Sequence, residues 1–442
     1  MKRRLALIPF LLLLFVGALC IVFPNLPGDT SQITRGIDKA DTAWMLCSTA
    51  LVFIMTPGLA FFYGGMVNRK NVISTMLQSF ICMAVISMLW VFVGFGLAFG
   101  NTWAGIWGNP GQFFLMRHVI DGHPWSLAPT IPLLVFAFYQ LKFAIITPAL
   151  ITGAFAERIR FTSYVLFICL FTIFIYCPLA HAAWHPDGVL FKMGVLDFAG
   201  GTVVHMSAGW AALASALYLK QRHEPTHEPA NIPFVMLGTG LLWFGWFGFN
   251  AGSAFGANNL AATALATTTT ASASAALAWI FFESVKGKKP SALGTCIGAV
   301  VGLVAITPAA GFVSIPHSIV IGIASSLVSN WVVGLRAKSN RVDDTLDVFP
   351  CHGIGGIMGM ILTGVFAHQS INAGNTTGNG LIFGATHLFL MHMIALVGVS
   401  VFAFGGSWLL LKVTDMITPL RVKKEEEYLG LDVSQHAERV AA

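Results

Sequence analysis

"LDFAGGTVVHMSAGWAALASALYL", residues 196–219, is built almost wholly from small and apolar side chains and is long enough to cross a bilayer. Yet it carries Asp197 and, eight residues on, His205. An ionisable group inside hydrocarbon is costly, so a span that keeps two of them has a structural or functional use for each. Asp197 precedes the apolar run, where its carboxylate can cap the free amides of the first helical turn. That structural reading is the stronger one, although the charge would also make this end of a pathway attractive to cations. His205 lies about 12 Å further along a helix that rises 1.5 Å per residue, near the midplane. Taken alone, it reads equally as an interhelical hydrogen bond or as a pore-lining group.

The surrounding chain settles the fold class. Of its 442 residues, 56% are hydrophobic and only 10% charged, and the mean hydropathy is +0.76. That leaves too little polar surface to wrap a soluble domain, so the chain reads as a polytopic membrane protein. Eleven apolar runs are long enough to span: 42–67, 72–99, 130–156, 161–184, 199–219, 232–255, 260–285, 291–311, 315–335, 348–368 and 381–413. None shows the alternation of a membrane barrel strand, so the protein is all-α. Residues 1–30 begin with a basic cluster and an apolar run and read as a secretory signal peptide, which would add a twelfth helix if retained. The membrane domain is 41–414, and residues 415–442 form a charged tail too short for a core of its own.

Basic residues orient the spans. Twelve (Arg69, Lys70, Arg158, Arg160, Lys220, Arg222, Lys286, Lys288, Lys289, Arg336, Lys338 and Arg341) fall in one set of loops, against Arg117 and Lys192 in the opposite set, with Arg35 and Lys39 before the first span. The richer set is expected in the cytoplasm, which places Asp41 outside and the tail inside. The net charge of +6 is therefore a topology signal and argues for no nucleic-acid partner. The seven cysteines lack metal-ligand spacing and read as buried packing. Phosphate-loop, nucleophile-elbow and zinc signatures are absent, so no enzyme activity and no cofactor are expected.

A second stretch, "RVDDTLDVFPCHGIGGIMG", opens the tenth span from the opposite side. Here Asp347 is expected to cap the helix, with His352 five residues in, while Asp343 and Asp344 fix the preceding loop. Asp then His from one side, and Asp then His from the other five spans later, is the pattern of an inverted five-helix repeat with its site at the repeat interface. Two neutral histidines meeting there can share one proton between ring nitrogens and line a pore without net charge.

These residues sit in six long motifs: "DTAWMLCSTALVFIMTPGLAFFYGGMV", "FAIITPALITGAFAERIRF", "DFAGGTVVHMSAG", "GWFGFNAGSA", "RVDDTLDVFPCHG" and "GLDVSQHAE". In that order they resemble the ammonium transporter/Rhesus family, bacterial Amt branch, over essentially all of residues 41–440. The resemblance implies a homotrimer with one pore per subunit in a bacterial cytoplasmic membrane, and a cytoplasmic tail that takes part in regulation by P-II signal proteins. It implies an outer gate at Phe143 and Phe249, and an external recruitment site at Phe143, Trp184 and Ser253 with Asp197 behind it. It also implies a pore pair at His205 and His352. Lys142 departs from the family pattern, which places a small or apolar residue before the gate phenylalanine. It is a candidate modulator, facing either the vestibule or a neighbouring helix.

The chemistry suits these residue types. Aromatic faces replace part of the water an ammonium ion loses, each such contact contributing about 2 kcal/mol when desolvated. Loss of a proton then removes most of the cost of carrying charge through the apolar centre. Potassium has no proton to lose, so the same path rejects it by chemistry rather than by size. The readings in play are ammonium uptake, an ammonium sensor on the same scaffold with little or no flux, and a channel for another neutral small molecule such as a dissolved gas. Glu157 reads as a partner of Arg158 or Arg160, and the tail is expected to dock near Arg336 to Asp344.

Overall fold

The computed structural model describes residues 2–26, 36–226, 228–339 and 341–440, and these are mostly helical. Each of the eleven expected apolar runs is helical. Ten are long and apolar enough to cross a membrane: Lys39–Met66, Arg69–Phe99, Leu133–Phe155, Phe161–Lys192, Gly201–Leu219, Ile232–Ala254, Asn259–Val285, Ile315–Ala337, Phe349–Phe366 and His387–Ile417. The eighth, Ala292–Ile306, is a shorter apolar helix of 15 residues. The N-terminal segment forms a further helix, Lys2–Val22, whose side chains from Phe10 to Phe15 are largely exposed. The end of the expected signal segment, residues 27–30, lies outside the described residues.

Side chains large enough to keep helices apart are missing where the helices cross most closely. A Cβ on Gly209 would fall 2.2 Å from the Cα of Gly353, so the helices that carry His205 and His352 touch backbone to backbone. Small residues permit this approach, and dispersion then replaces the hydrophobic drive that lipid cannot supply. Both helices open with a π-helical turn, Gly201–Met206 and Phe349–Ile354. Such turns shift the side-chain register against an ordinary α-helix and are frequent at functional sites.

At the end of the molecule that collects the basic loops, Arg222 is the hub of a buried ion network. It donates to both carboxylate oxygens of Asp343, at 2.9 Å each, and to Glu157 at 2.7 Å. Glu157, expected to pair with its chain neighbours Arg158 or Arg160, thus forms its ion pair with Arg222. Arg158 instead donates to the carbonyls of Ala154 and Asp343 and to Thr345. These bonds tie together the loops after the first, third, fifth and ninth spans, since Asn68 also donates to Glu157. Asp343 does fix the loop before the tenth span, as its sequence position suggests.

The tail closes over this network at a different place from the one expected near Arg336 to Asp344. Glu427 accepts from Arg421 at 2.9 Å and from the His223 amide at 2.6 Å. Asp432 accepts from the amides of Ile73 and Ser74, capping the second span, while the Leu431 amide donates to Asn71. Gly430 has φ +93, and a Cβ there would meet Lys70 at 2.6 Å, so the turn between the two short tail helices needs glycine. The cysteine reading holds for Cys82, Cys177, Cys296 and Cys351, which are buried, while Cys169 is half-buried. Cys20 and Cys47 lie on exposed helix faces instead, because an apolar face turned outward in a membrane protein still packs on lipid.

Candidate functional site

A cavity of about 260 Å³ opens at the end of the bundle opposite the tail. Its walls include Trp125, Phe136, Gln140, Phe143, Trp184 and Ser253. Phe136, Gln140 and Phe143 come from one face of the third span, at spacings of four and three residues. Trp184 ends the helical piece Cys177–Trp184 of the fourth span, and its indole N–H donates to the Asp197 carbonyl at 3.1 Å, which sets the ring against Phe143 edge to face, centroids 5.8 Å apart. The Ser253 hydroxyl donates to the Phe249 carbonyl at 2.9 Å. Its oxygen also stands 3.2 Å from the Tyr139 hydroxyl, which leaves at least one lone pair to accept a further N–H.

Asp197 is engaged as a cap. One carboxylate oxygen accepts from the amides of Gly200 and Gly201 at 2.8 and 2.6 Å, and the other from the Thr202 amide at 2.8 Å and from its hydroxyl. Gly200, at φ +121, turns the backbone so that these amides converge. The carboxylate lines the inner edge of the cavity and is 8% exposed, so its negative charge reaches the mouth through a low-dielectric wall. His392 braces the same corner, accepting from the Leu196 amide at 3.0 Å and donating to the Met360 carbonyl at 2.8 Å.

Below the cavity the path is closed by rings. Phe143 and Phe249 are 4.3 Å apart between centroids, inclined by 38°, and both are essentially fully buried. Beneath Phe249 lies His205 at 6.0 Å, flanked by Trp246 at 5.4 Å, and then His352 at 5.4 Å. The Nδ1 atoms of the two histidines are 3.3 Å apart, so one carries the hydrogen and the other accepts it. The Nε2 of His205 is buried with no hydrogen-bond partner. An orphan polar atom at this depth is expensive unless something passing through satisfies it.

All eight residues singled out from the sequence are thus accounted for. Seven of them, Phe143, Trp184, Ser253, Asp197, Phe249, His205 and His352, line the cavity or the ring stack that leads inward from it. Lys142 stands apart from it. Its ammonium group sits 4.8 Å over the ring of Phe53, a residue of the first span that is 42% exposed, and it does not line the cavity.

Sequence reasoning overlooked Gln140, whose side-chain oxygen is buried and unpartnered beside Phe143. The helical spacing from Phe143 was the available signal. It also misassigned the cap of the tenth span. Asp347 forms a two-pronged ion pair with Arg336, at 2.8 and 2.9 Å, while Asp344 accepts from the Phe349 amide at 2.7 Å. The true cap therefore precedes its histidine by eight residues, the same interval as Asp197 to His205.

A column of stacked rings buried in a helix bundle, open at one end to an aromatic cup, defines a membrane transport protein rather than an enzyme. The chain belongs to the Ammonium Transporter Family, whose profile it matches over residues 43–441. It is 45% identical to the ammonium transporter of Aquifex aeolicus over 426 residues, which cover 96% of this chain and 98% of that protein. Among solved structures, Saccharomyces cerevisiae Mep2 superposes with a TM-score of 0.84 at 34% identity over 89% of each chain. A structure described as a sensor Amt protein superposes with a TM-score of 0.81 at 29% identity, over 90% of this chain and 98% of that one.

The position of Lys142 yields a prediction. Replacing it with Met removes one partly exposed cation–π contact, a loss of about 0.5–1 kcal/mol, and should leave ammonium affinity unchanged. A clear gain in affinity in a flux assay would show that the cation acts in the cavity.

Proposed function

We propose that this chain carries ammonium nitrogen across a bacterial cytoplasmic membrane as ammonia. Ammonium is recruited between Trp184, Phe143 and Ser253, with the Asp197 charge behind. It loses its proton at the Phe143–Phe249 gate, and the nitrogen passes His205 and His352, which hydrogen-bond ammonia and pass the proton separately. The observation that carries this reading is the Nδ1–Nδ1 pair at 3.3 Å lying directly beneath the aromatic gate. Neutral rings at that place accept and donate one hydrogen bond each without presenting a charge to the apolar centre.

In this reading the functional unit is a homotrimer, the mature N-terminus is outside after removal of the signal segment, and the tail faces the cytoplasm. The tail's bonds to the loops after the first, third and fifth spans support a regulatory part for it, with a P-II signal protein as the candidate partner. Deleting residues 425–442 removes the Asp432 cap and the Glu427 contacts. It should change ammonium current by a few-fold or abolish P-II binding while the membrane domain still folds. If neither changes, the tail is a passive end.

Likeness to a sensor Amt protein keeps a second reading in view, in which ammonium binding moves the tail with little flux. Proteoliposomes separate the two. An ammonium pulse should produce current and a shift in internal pH, whereas tail movement reported by a fluorophore, without current, would establish the sensor.

A further inference from the structure

Asp344 is fully buried, and only one of its carboxylate oxygens is engaged. Its Oδ1 has no hydrogen-bond partner, the one buried carboxylate oxygen among the described residues left in that state. Its counterpart Asp197 stands the same eight residues before a histidine of the pair but has both oxygens saturated by N–H and O–H donors. The two caps therefore hold equivalent helix ends in unequal chemical states. A cap needs one oxygen. A buried second oxygen left bare costs free energy unless a proton or a relayed water meets it.

We propose that Asp344 is the inner proton station of the pathway, taking on Oδ1 the proton shed by ammonium after it has passed His352. The step rests on the transport reading above and balances as follows. An N–H bond of ammonium breaks, leaving ammonia, and an N–H bond forms on the histidine pair. That ring N–H then breaks, and through an intervening water an O–H bond forms on Asp344. Finally, that O–H bond breaks to water at the tail end of the molecule, and the carboxylate is restored. The Phe349 amide that Asp344 caps is only three residues, about one helical turn, before His352.

The groups that face this carboxyl are consistent with a proton coming and going. Asp347 and Arg336 bear on it as an ion pair in which the Asp347 charge acts more strongly, and the Arg158 guanidinium donates to the Asp343 and Ala154 carbonyls. Tyr63, from the first span, donates its hydroxyl to the Leu150 carbonyl, and Cys351 is a buried thiol on the next turn. Burial, and after it the charge of Asp347, push the Asp344 carboxyl up to about 6. It therefore exchanges its proton close to neutral pH, as a relay group must.

Asp344→Asn keeps a carbonyl for the Phe349 amide but cannot be protonated and released. Its ammonium-driven current should fall at least about tenfold, less than the usual worth of a positioned acid–base group, and lose its dependence on internal pH. Asp344→Glu should restore both. Wild-type current and pH profile in Asp344→Asn would reduce Asp344 to a cap. If Asp344→Asn does not fold, infrared difference spectroscopy of the full-length wild-type protein supplies the test. It should show a protonated-carboxyl band, shifted in Asp344→Glu, that titrates near 6. No such band overturns the proposal. The band needs no flux, so a protein that senses ammonium without carrying it would be recognised separately, by the absence of current in the wild type.

Discussion

Asp197→Ala should unfold the mouth of the column and abolish ammonium flux. The carboxylate holds four donors from Gly200 to Thr202 in a buried corner. Bonds to a charged acceptor contribute about 1.5–3 kcal/mol each, and donors left bare cost a further 1–3 kcal/mol. Even with partial relaxation, the loss should exceed about 3 kcal/mol, a large fraction of the stability of a typical domain. The π turn carrying His205 begins at Gly201, so the histidine loses its alignment under Phe249 together with the cap. Asp197→Asn, which keeps one oxygen acceptor, should fall between. Thermal unfolding of the purified protein, paired with flux in proteoliposomes, checks this. An Ala variant with wild-type stability and flux would show that neither the cap nor the charge matters.

The second large effect belongs to the histidine pair. His205→Ala removes the partner of His352 Nδ1 and one wall of the path beneath Phe249. His352→Ala leaves the His205 ring with both nitrogens unpartnered. Losing one such buried bond costs about 1–3 kcal/mol. Applied to ammonia at the centre of the path, that corresponds to a drop in ammonium current of roughly ten- to a hundredfold. An alternative expression of the same defect is leakage of potassium, because a vacated pair admits water and hydrated ions. Both variants should remain folded, since each ring lies beside, and not within, the backbone contact at Gly209 and Gly353. Unchanged current and selectivity in both would remove the histidines from the mechanism.

Much of this was readable before the structure, for identifiable reasons. Hydropathy located every span to within a few residues, because the bilayer imposes one length and one composition on all of them. The Asp197 and His205 positions were legible because charged groups in such a run stand out against it. The cap of the tenth span was not, since Asp343, Asp344 and Asp347 compete within five residues and local sequence favours the nearest. The eight-residue interval from Asp197 to His205 would have picked out Asp344. The pairing of Glu157 with Arg222 spans 65 residues and depends on how loops meet, which no local pattern encodes. The π turns were equally hidden, because a change of helical register leaves composition untouched. Gln140 was passed over as one polar residue on a buried helix, although its spacing from Phe143 placed it on the same face.

The central claim is that nitrogen crosses as ammonia and its proton crosses separately, so that a cation with no proton to lose is refused. Ammonium-driven current in proteoliposomes, recorded with and without a large excess of potassium and then with potassium alone, tests it directly. The ammonium current should be undiminished by potassium, and potassium alone should give none. A potassium current of comparable size, or block of the ammonium current by potassium, would contradict the claim.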